Sequence, residues 1–186
     1  MSTSIPASRL GPILALVLLT SLPLHTTLAQ KAPDIQAREQ LMKDLGKAVK
    51  SVAPMFKDRA PYDADAVRGA ATAIETLGGK ELTALFPEGS LNAESEALPA
   101  IWEDWEDFAR LAEDLVLYGR ALSAAAGNPR TAAEAPAAGA ILGDLAAAEP
   151  PSDPATLAAL SPNISFEALL KTCGSCHTRF RKKDEK

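Results

Sequence analysis

Two thiols and an imidazole fall within five consecutive positions near the C-terminus: Cys173, Gly174, Ser175, Cys176 and His177. These are the only two cysteines of the chain, and His177 is one of only two histidines. The spacing is that used to attach a c-type haem. Each thiol adds to one vinyl group of the porphyrin, which tethers one edge of the ring. The adjacent imidazole then reaches the iron from the proximal side. Gly174 and Ser175 are small, so this reading expects no bulk between backbone and porphyrin.

Three other chemistries use the same residue types. A dithiol redox site is expected at the start of a helix in a βαβ unit, where the thiol pKa is lowered. Here the flanking run Ser165–Lys171 has a helical pattern and lies near the chain end. A zinc site would have Cys173, Cys176 and His177 but no fourth Cys or His once His25 is removed with a leader. A disulfide between Cys173 and Cys176 would close too small a loop to constrain the unfolded chain much. Haem attachment is the best account of the motif.

The rest of the chain must carry that motif to the right place. Residues 1–29 read as a cleaved secretory signal. Arg9 supplies the positive charge, Leu10 to Leu24 is apolar but broken by Gly11, Pro12 and Pro23, and Thr27-Leu28-Ala29 offers a small-residue cleavage site. The uninterrupted run from Ile13 to Leu19 is too short for the ~20 residues of a membrane span, so no membrane anchor is expected after cleavage. Residues 30–186 are enough for one domain with a core of its own. The formal charge is −5, and it becomes one unit more negative without Arg9. That acidity argues against nucleic-acid binding.

Periodicity makes the domain helical. Arg38, Leu41, Leu45, Val49, Val52 and Phe56 form one stripe on a helix beginning near Asp34, with Pro54 expected to kink or end it. Ala60-Pro61-Tyr62-Asp63 reads as a turn with a capping residue. Val67, Ala70, Ile74 and Leu77 follow, up to a break at Gly78-Gly79, and a shorter turn passes through Leu82, Leu85 and Phe86. Ile101, Trp105, Phe108, Leu111, Leu115, Tyr118 and Leu122 make the clearest stripe. Residues 127–162 form a long Ala/Pro-rich connection with short helical pieces near 138–148 and 155–160. The last helix is expected from Ser165, with Phe166, Leu169, Leu170, Cys173, Cys176, His177 and Phe180 along one side. No stretch alternates with period two, so strands are not expected. The fold class is therefore all-α, an antiparallel four-helix bundle with a covalent haem on the C-terminal helix.

With these elements in place the chain resembles the class II c-type cytochromes, the cytochrome c-prime family. The resemblance runs through Arg38-Glu39-Gln40-Leu41-Met42-Lys43, Ala60-Pro61-Tyr62-Asp63, Leu85-Phe86-Pro87, Ile101-Trp102-Glu103-Asp104 with Phe108, and Cys173 to His177 with Phe180-Arg181. It implies one haem c held by Cys173 and Cys176, His177 as the proximal iron ligand, and helix one over the distal face. It places Met42, four residues after Arg38, toward the iron, and gives Arg38 a haem propionate as partner. In high-spin members that distal position is often non-bonding, which leaves the iron open to small gases. In low-spin members a methionine binds and the protein carries electrons. The wording around Leu41-Met42-Lys43 and Trp102-Glu103-Asp104-Trp105 is closer to the low-spin branch.

From the residues alone, a methionine on an apolar helix face is more often core filling than a ligand. Met55 competes on the same helix, but it lies about 20 Å further along the axis. Trp102, Trp105, Phe108 and Phe180 read as core and haem-packing side chains, and Arg38 is equally an ordinary surface arginine. Arg179, Arg181, Lys182, Lys183 and Lys186 form a basic tail, read first as cations complementing a helix C-terminus and second as a dock for an acidic partner. The expected function is a periplasmic, non-enzymatic single-electron carrier that meets redox partner proteins. The alternative is a five-coordinate haem binding nitric oxide or carbon monoxide. The resemblance also allows a homodimer.

Overall fold

The computed structural model describes residues 33–130 and 152–183. The expected leader 1–29, the expected helical piece at 138–148 and Lys186 lie outside the described residues. Helix α1 spans Pro33–Phe56, with Asp34 in its first turn, where a carboxylate complements the helix dipole. Its stripe buries Ile35, Leu41, Leu45, Ala48 and Val52. Pro54 is accommodated in the last turn rather than breaking the helix before it. Its carbonyl accepts from the Lys57 and Arg59 amides at 3.3 and 2.8 Å, and this closes the end.

Asp63 caps α2 (Ala64–Leu77) by accepting from the amides of Asp65 at 2.9 Å and Ala66 at 3.1 Å. The break after Leu77 is real: Gly79 has φ +55°, a backbone conformation that glycine adopts without steric cost, and it opens the short α3 (Gly79–Thr83). The third stripe is interrupted. A four-residue α4 (Ala100–Glu103) stops at Asp104, whose φ of −125° and ψ of 46° are not helical, and α5 (Trp105–Ala125) starts anew. The interruption falls inside the stripe, after the buried Ile101, and Trp105 is 40% exposed instead of lying in the core.

After α6 (Pro154–Ala159), the last helix α7 runs over Pro162–Phe180. It begins three residues earlier than periodicity indicated. Ser161 caps it by accepting from the Asn163 amide at 3.4 Å, and Pro162 at the first turn lacks only an N–H that has no helical partner there. Leu170, expected on the inner side, is 38% exposed.

The four long helices pack as an antiparallel bundle, α1 on α2, α2 on α5 and α5 on α7. Gly119 lets α2 and α5 come close: a Cβ there would lie 2.9 Å from the backbone nitrogen of Glu75. Arg179 bonds Asp104 at 3.0 Å at one end of the α5–α7 pair, and the Asn128 side chain donates to the Ala158 and Leu160 carbonyls at the other. Between α1 and α7 the packing is uneven. Phe56 and Phe166 stack with centroids 4.1 Å apart, whereas toward Met42 and His177 the two helices line a cavity. The described residues contain no strand, only an isolated bridge between Ala97 and Arg181 that ties the end of α7 to the segment before α4.

Candidate cofactor site

The whole thiol–imidazole motif lies inside α7. At 3.6 residues per turn, Cys173, Cys176 and His177 therefore share an arc of about 100°. Gly174 and Ser175 fall on the other side and are exposed. A Cβ at Gly174 would meet nothing within 4 Å.

Both thiols are free and half-buried. Burial raises the pKa of Cys173, and burial, then Cys173 and Asp107, push Cys176 up to about 11. A reactive redox pair needs the opposite, a lowered thiol pKa. Among the described residues, no group of three or more His, Cys, Asp or Glu side chains is arranged to hold a metal ion. His177 is more exposed than the cysteines, but partial desolvation of its ring, followed by the charge of Arg181, lowers its pKa. The neutral imidazole thus favoured is the form that binds a metal.

Met42 of α1 and Cys176 and His177 of α7 line a cavity of about 960 Å³, the size of a cofactor site. Phe86, Phe108 and Phe180 also line it. Phe108 meets the other two rings edge-on, with centroids 5.0 and 5.4 Å away. A second, apolar cavity of about 200 Å³ is lined by Cys173 and shares Met42, Cys176 and His177 with the first. Gly46, one turn after Met42, lines both, and a Cβ built there meets nothing within 4 Å. Sequence reasoning missed Gly46. Its signal was available: a glycine inside a helix costs about 1 kcal/mol relative to alanine and asks for a reason. Met55 lines neither cavity.

Arg38 is no surface arginine. It is 5% exposed, and its guanidinium lies 4.6 Å from the Phe86 ring centroid. Its Nε donates to the Leu85 carbonyl at 2.5 Å, and Nη2 donates to Asp34 at 3.2 Å and to the Ser90 hydroxyl. Burial lowers its pKa, partly offset by Asp34. Nη1 is buried with no partner, although Arg38 lines the large cavity. A buried charged donor without an acceptor is costly, and this one belongs to a residue of the cavity lining.

The residues present therefore fit a haem: a largely apolar cavity, two thiols and an imidazole on one helical arc, and a buried arginine that pairs with Asp34 yet keeps one nitrogen without a partner. The basic tail is partly engaged elsewhere. Arg179 pairs with Asp104 and Asp107, and Arg181 donates from Nε to Glu96 at 3.0 Å.

The family model described as cytochrome c' matches residues 34–148. Cytochrome c-554 of Cereibacter sphaeroides is 33% identical over 180 residues, which cover 93% of this chain and 99% of that protein. A cytochrome c-556 of Agrobacterium tumefaciens is 32% identical over 82% of this chain and 99% of its own length. Among solved structures, the cytochrome c' of Rhodopseudomonas palustris superposes with a TM-score of 0.58 at 28% identity, covering 83% of this chain and all of that one. With the motif, the bundle and these relatives in agreement, the chain belongs to the cytochrome c' family and is a monohaem c-type cytochrome with one covalently bound haem c.

Proposed function

We propose that this chain is an exported electron carrier in which Cys173 and Cys176 would tether the haem and His177 and Met42 would hold its iron. One observation carries the reading: Met42 on α1 and His177 on α7 line the same cavity, with the two thiols on the histidine's arc. When bound, the haem supplies a ferrous–ferric couple. The chain's own residues do the rest. The Met42 thioether is a soft ligand that favours the reduced metal. Phe86, Phe108 and Phe180 give the cavity an apolar wall, and Arg38 would donate a charge-assisted hydrogen bond to a propionate. Residues 1–29 act as a leader cleaved before Gln30, which delivers the domain to the periplasm. Partners are redox proteins, and no catalytic turnover is required.

The test is the visible spectrum of the exported holoprotein in both oxidation states, with and without carbon monoxide. Sharp low-spin bands with a thioether-to-iron charge-transfer band, insensitive to gas and lost in Met42→Leu, are expected. Broad high-spin bands that shift with carbon monoxide would reduce Met42 to packing. A second reading then applies, a five-coordinate haem that binds nitric oxide or carbon monoxide. The apolar cavity of about 200 Å³ against Met42 and His177 is the observation in its favour, since it would offer space to a small neutral ligand. Intact-mass measurement of the exported protein tests cleavage before Gln30.

A further inference from the structure

We propose that Lys43, Lys47 and Lys50 form a docking face for an acidic surface of the protein that exchanges electrons with this one, an inference that rests on the electron-carrier reading. The three lysines recur at four- and three-residue steps on α1, so they share one face over about 10 Å of helix. All three are exposed, and all three line the rim of the large cavity. None makes an ion pair among the described residues.

Acidic groups nearby do not cancel them. Asp44 lies to one side, where Gln40 donates to it at 3.1 Å, and Glu96 on the opposite rim is paired with Arg181. Glu39, one turn before Lys43, is the remaining rim carboxylate. The whole chain carries −5, so an acidic partner is repelled on average. Screening acts over about 10 Å at 0.1 M salt, however, and inside that range the stripe outweighs distant carboxylates. The net repulsion and local attraction together orient a partner toward the cavity mouth.

Arg179 and Arg181 of the tail are committed to ion pairs, and the exposed Lys182 and Lys183 do not line the cavity, whereas the three lysines of α1 do. A propionate at Arg38 does not account for the whole stripe either, since Lys50 lies about 18 Å along the helix axis from Arg38.

The experiment compares holoprotein with the triple variant Lys43→Glu, Lys47→Glu, Lys50→Glu. A control of equal charge change, Lys57→Glu, Arg59→Glu, Lys80→Glu, alters exposed residues that do not line the cavity. Stopped-flow oxidation of the ferrous form by hexacyanoferrate(III) should slow with rising salt and fall about tenfold in the rim variant at low salt, with a much smaller loss in the control. Poly-L-glutamate, standing for an acidic polypeptide face, should retain the parent and the control but not the rim variant. Equal losses in both variants would overturn the proposal, because net charge alone would then explain them. So would a loss accompanied by a shifted midpoint potential, which would tie the lysines to the haem itself. Binding to phosphatidylglycerol vesicles without binding to poly-L-glutamate would overturn it in favour of a lipid surface. High-spin, gas-sensitive bands with the charge effects intact would mark a different failure, that of the electron-carrier reading, and would overturn the partner assignment with it.

Discussion

Arg38 and Arg130 stand near opposite ends of α1 and are built alike. Each lies over aromatic rings, Arg38 over Phe86 at 4.6 Å and Arg130 over Tyr62 and Phe56 at 4.7 and 5.6 Å. Each spans distant segments of the chain. Arg130 pairs with Asp58 at 3.1 Å and donates to Asn163 at 3.4 Å, and around it Phe56 stacks on Phe166 while the Tyr62 hydroxyl donates to the Ala126 carbonyl. Arg38 keeps one buried nitrogen without an acceptor at the edge of a large cavity. One end of the bundle is completed by its own residues; the other leaves a cavity, which the proposed function fills with the haem. The same helix therefore packs against α7 at Phe56 and lines a cavity at Met42.

The strongest way to break this contrast is to prevent haem attachment. Replacing both Cys173 and Cys176 by alanine should lower the thermal midpoint by about 10 °C, as loss of a native-state ligand does. Hydrogen exchange should rise in residues 34–46 and 172–180 and stay low in residues 52–56 and 162–168. Equal loosening at both ends would refute the division of labour.

Next in size, Phe56→Ala removes the stacked pair and the edge contact to Tyr62. It should cost about 3 kcal/mol in urea unfolding, with the visible spectrum unchanged. The arginines sharpen the comparison further. Arg130→Ala should cost about 1 kcal/mol whether or not haem is present. Arg38→Ala should cost about 2 kcal/mol more in the holoprotein than in the haem-free chain, because only the ligand satisfies its orphaned donor. Parallel denaturation of both forms decides this.

The smallest effect is a pH dependence of the closed end. Burial raises the pKa of Tyr62, partly offset by Arg130 and Arg68. A raised folded pKa means that this contribution to stability is complete below the unfolded tyrosine value and is lost as pH rises through the folded one. Alkaline titration should therefore loosen the Phe56 end, and Tyr62→Phe should flatten the loss while forfeiting the bond to Ala126. A flat profile in the parent chain would remove the tyrosine from the account.

Much of the architecture is written locally. The stripe on α1, the Asp63 cap and the glycine break at 78–79 each depend on residues within a turn or two, and each appears where the sequence puts it. The motif also reads locally, since a helix alone carries Cys173, Cys176 and His177 to one arc. Trp105 and Leu170 show the limit. Both sit in apolar registers, yet the first stands just after the break at Asp104 and both are exposed.

By itself, the sequence determined an all-α bundle with a haem-attachment motif on its last helix, because helical period and motif spacing are short-range properties. Only the tertiary structure separated Arg38 from an ordinary surface arginine, since the groups that bury and bond it, Leu85, Phe86 and Ser90, come from about fifty residues away. It brought Met42 to the cavity that His177 lines, as the resemblance implied, and it alone added Gly46 and set Lys43, Lys47 and Lys50 around its rim. Such placements follow from which faces meet across the bundle, and that is decided by packing distant segments against one another rather than by the pattern within any one of them.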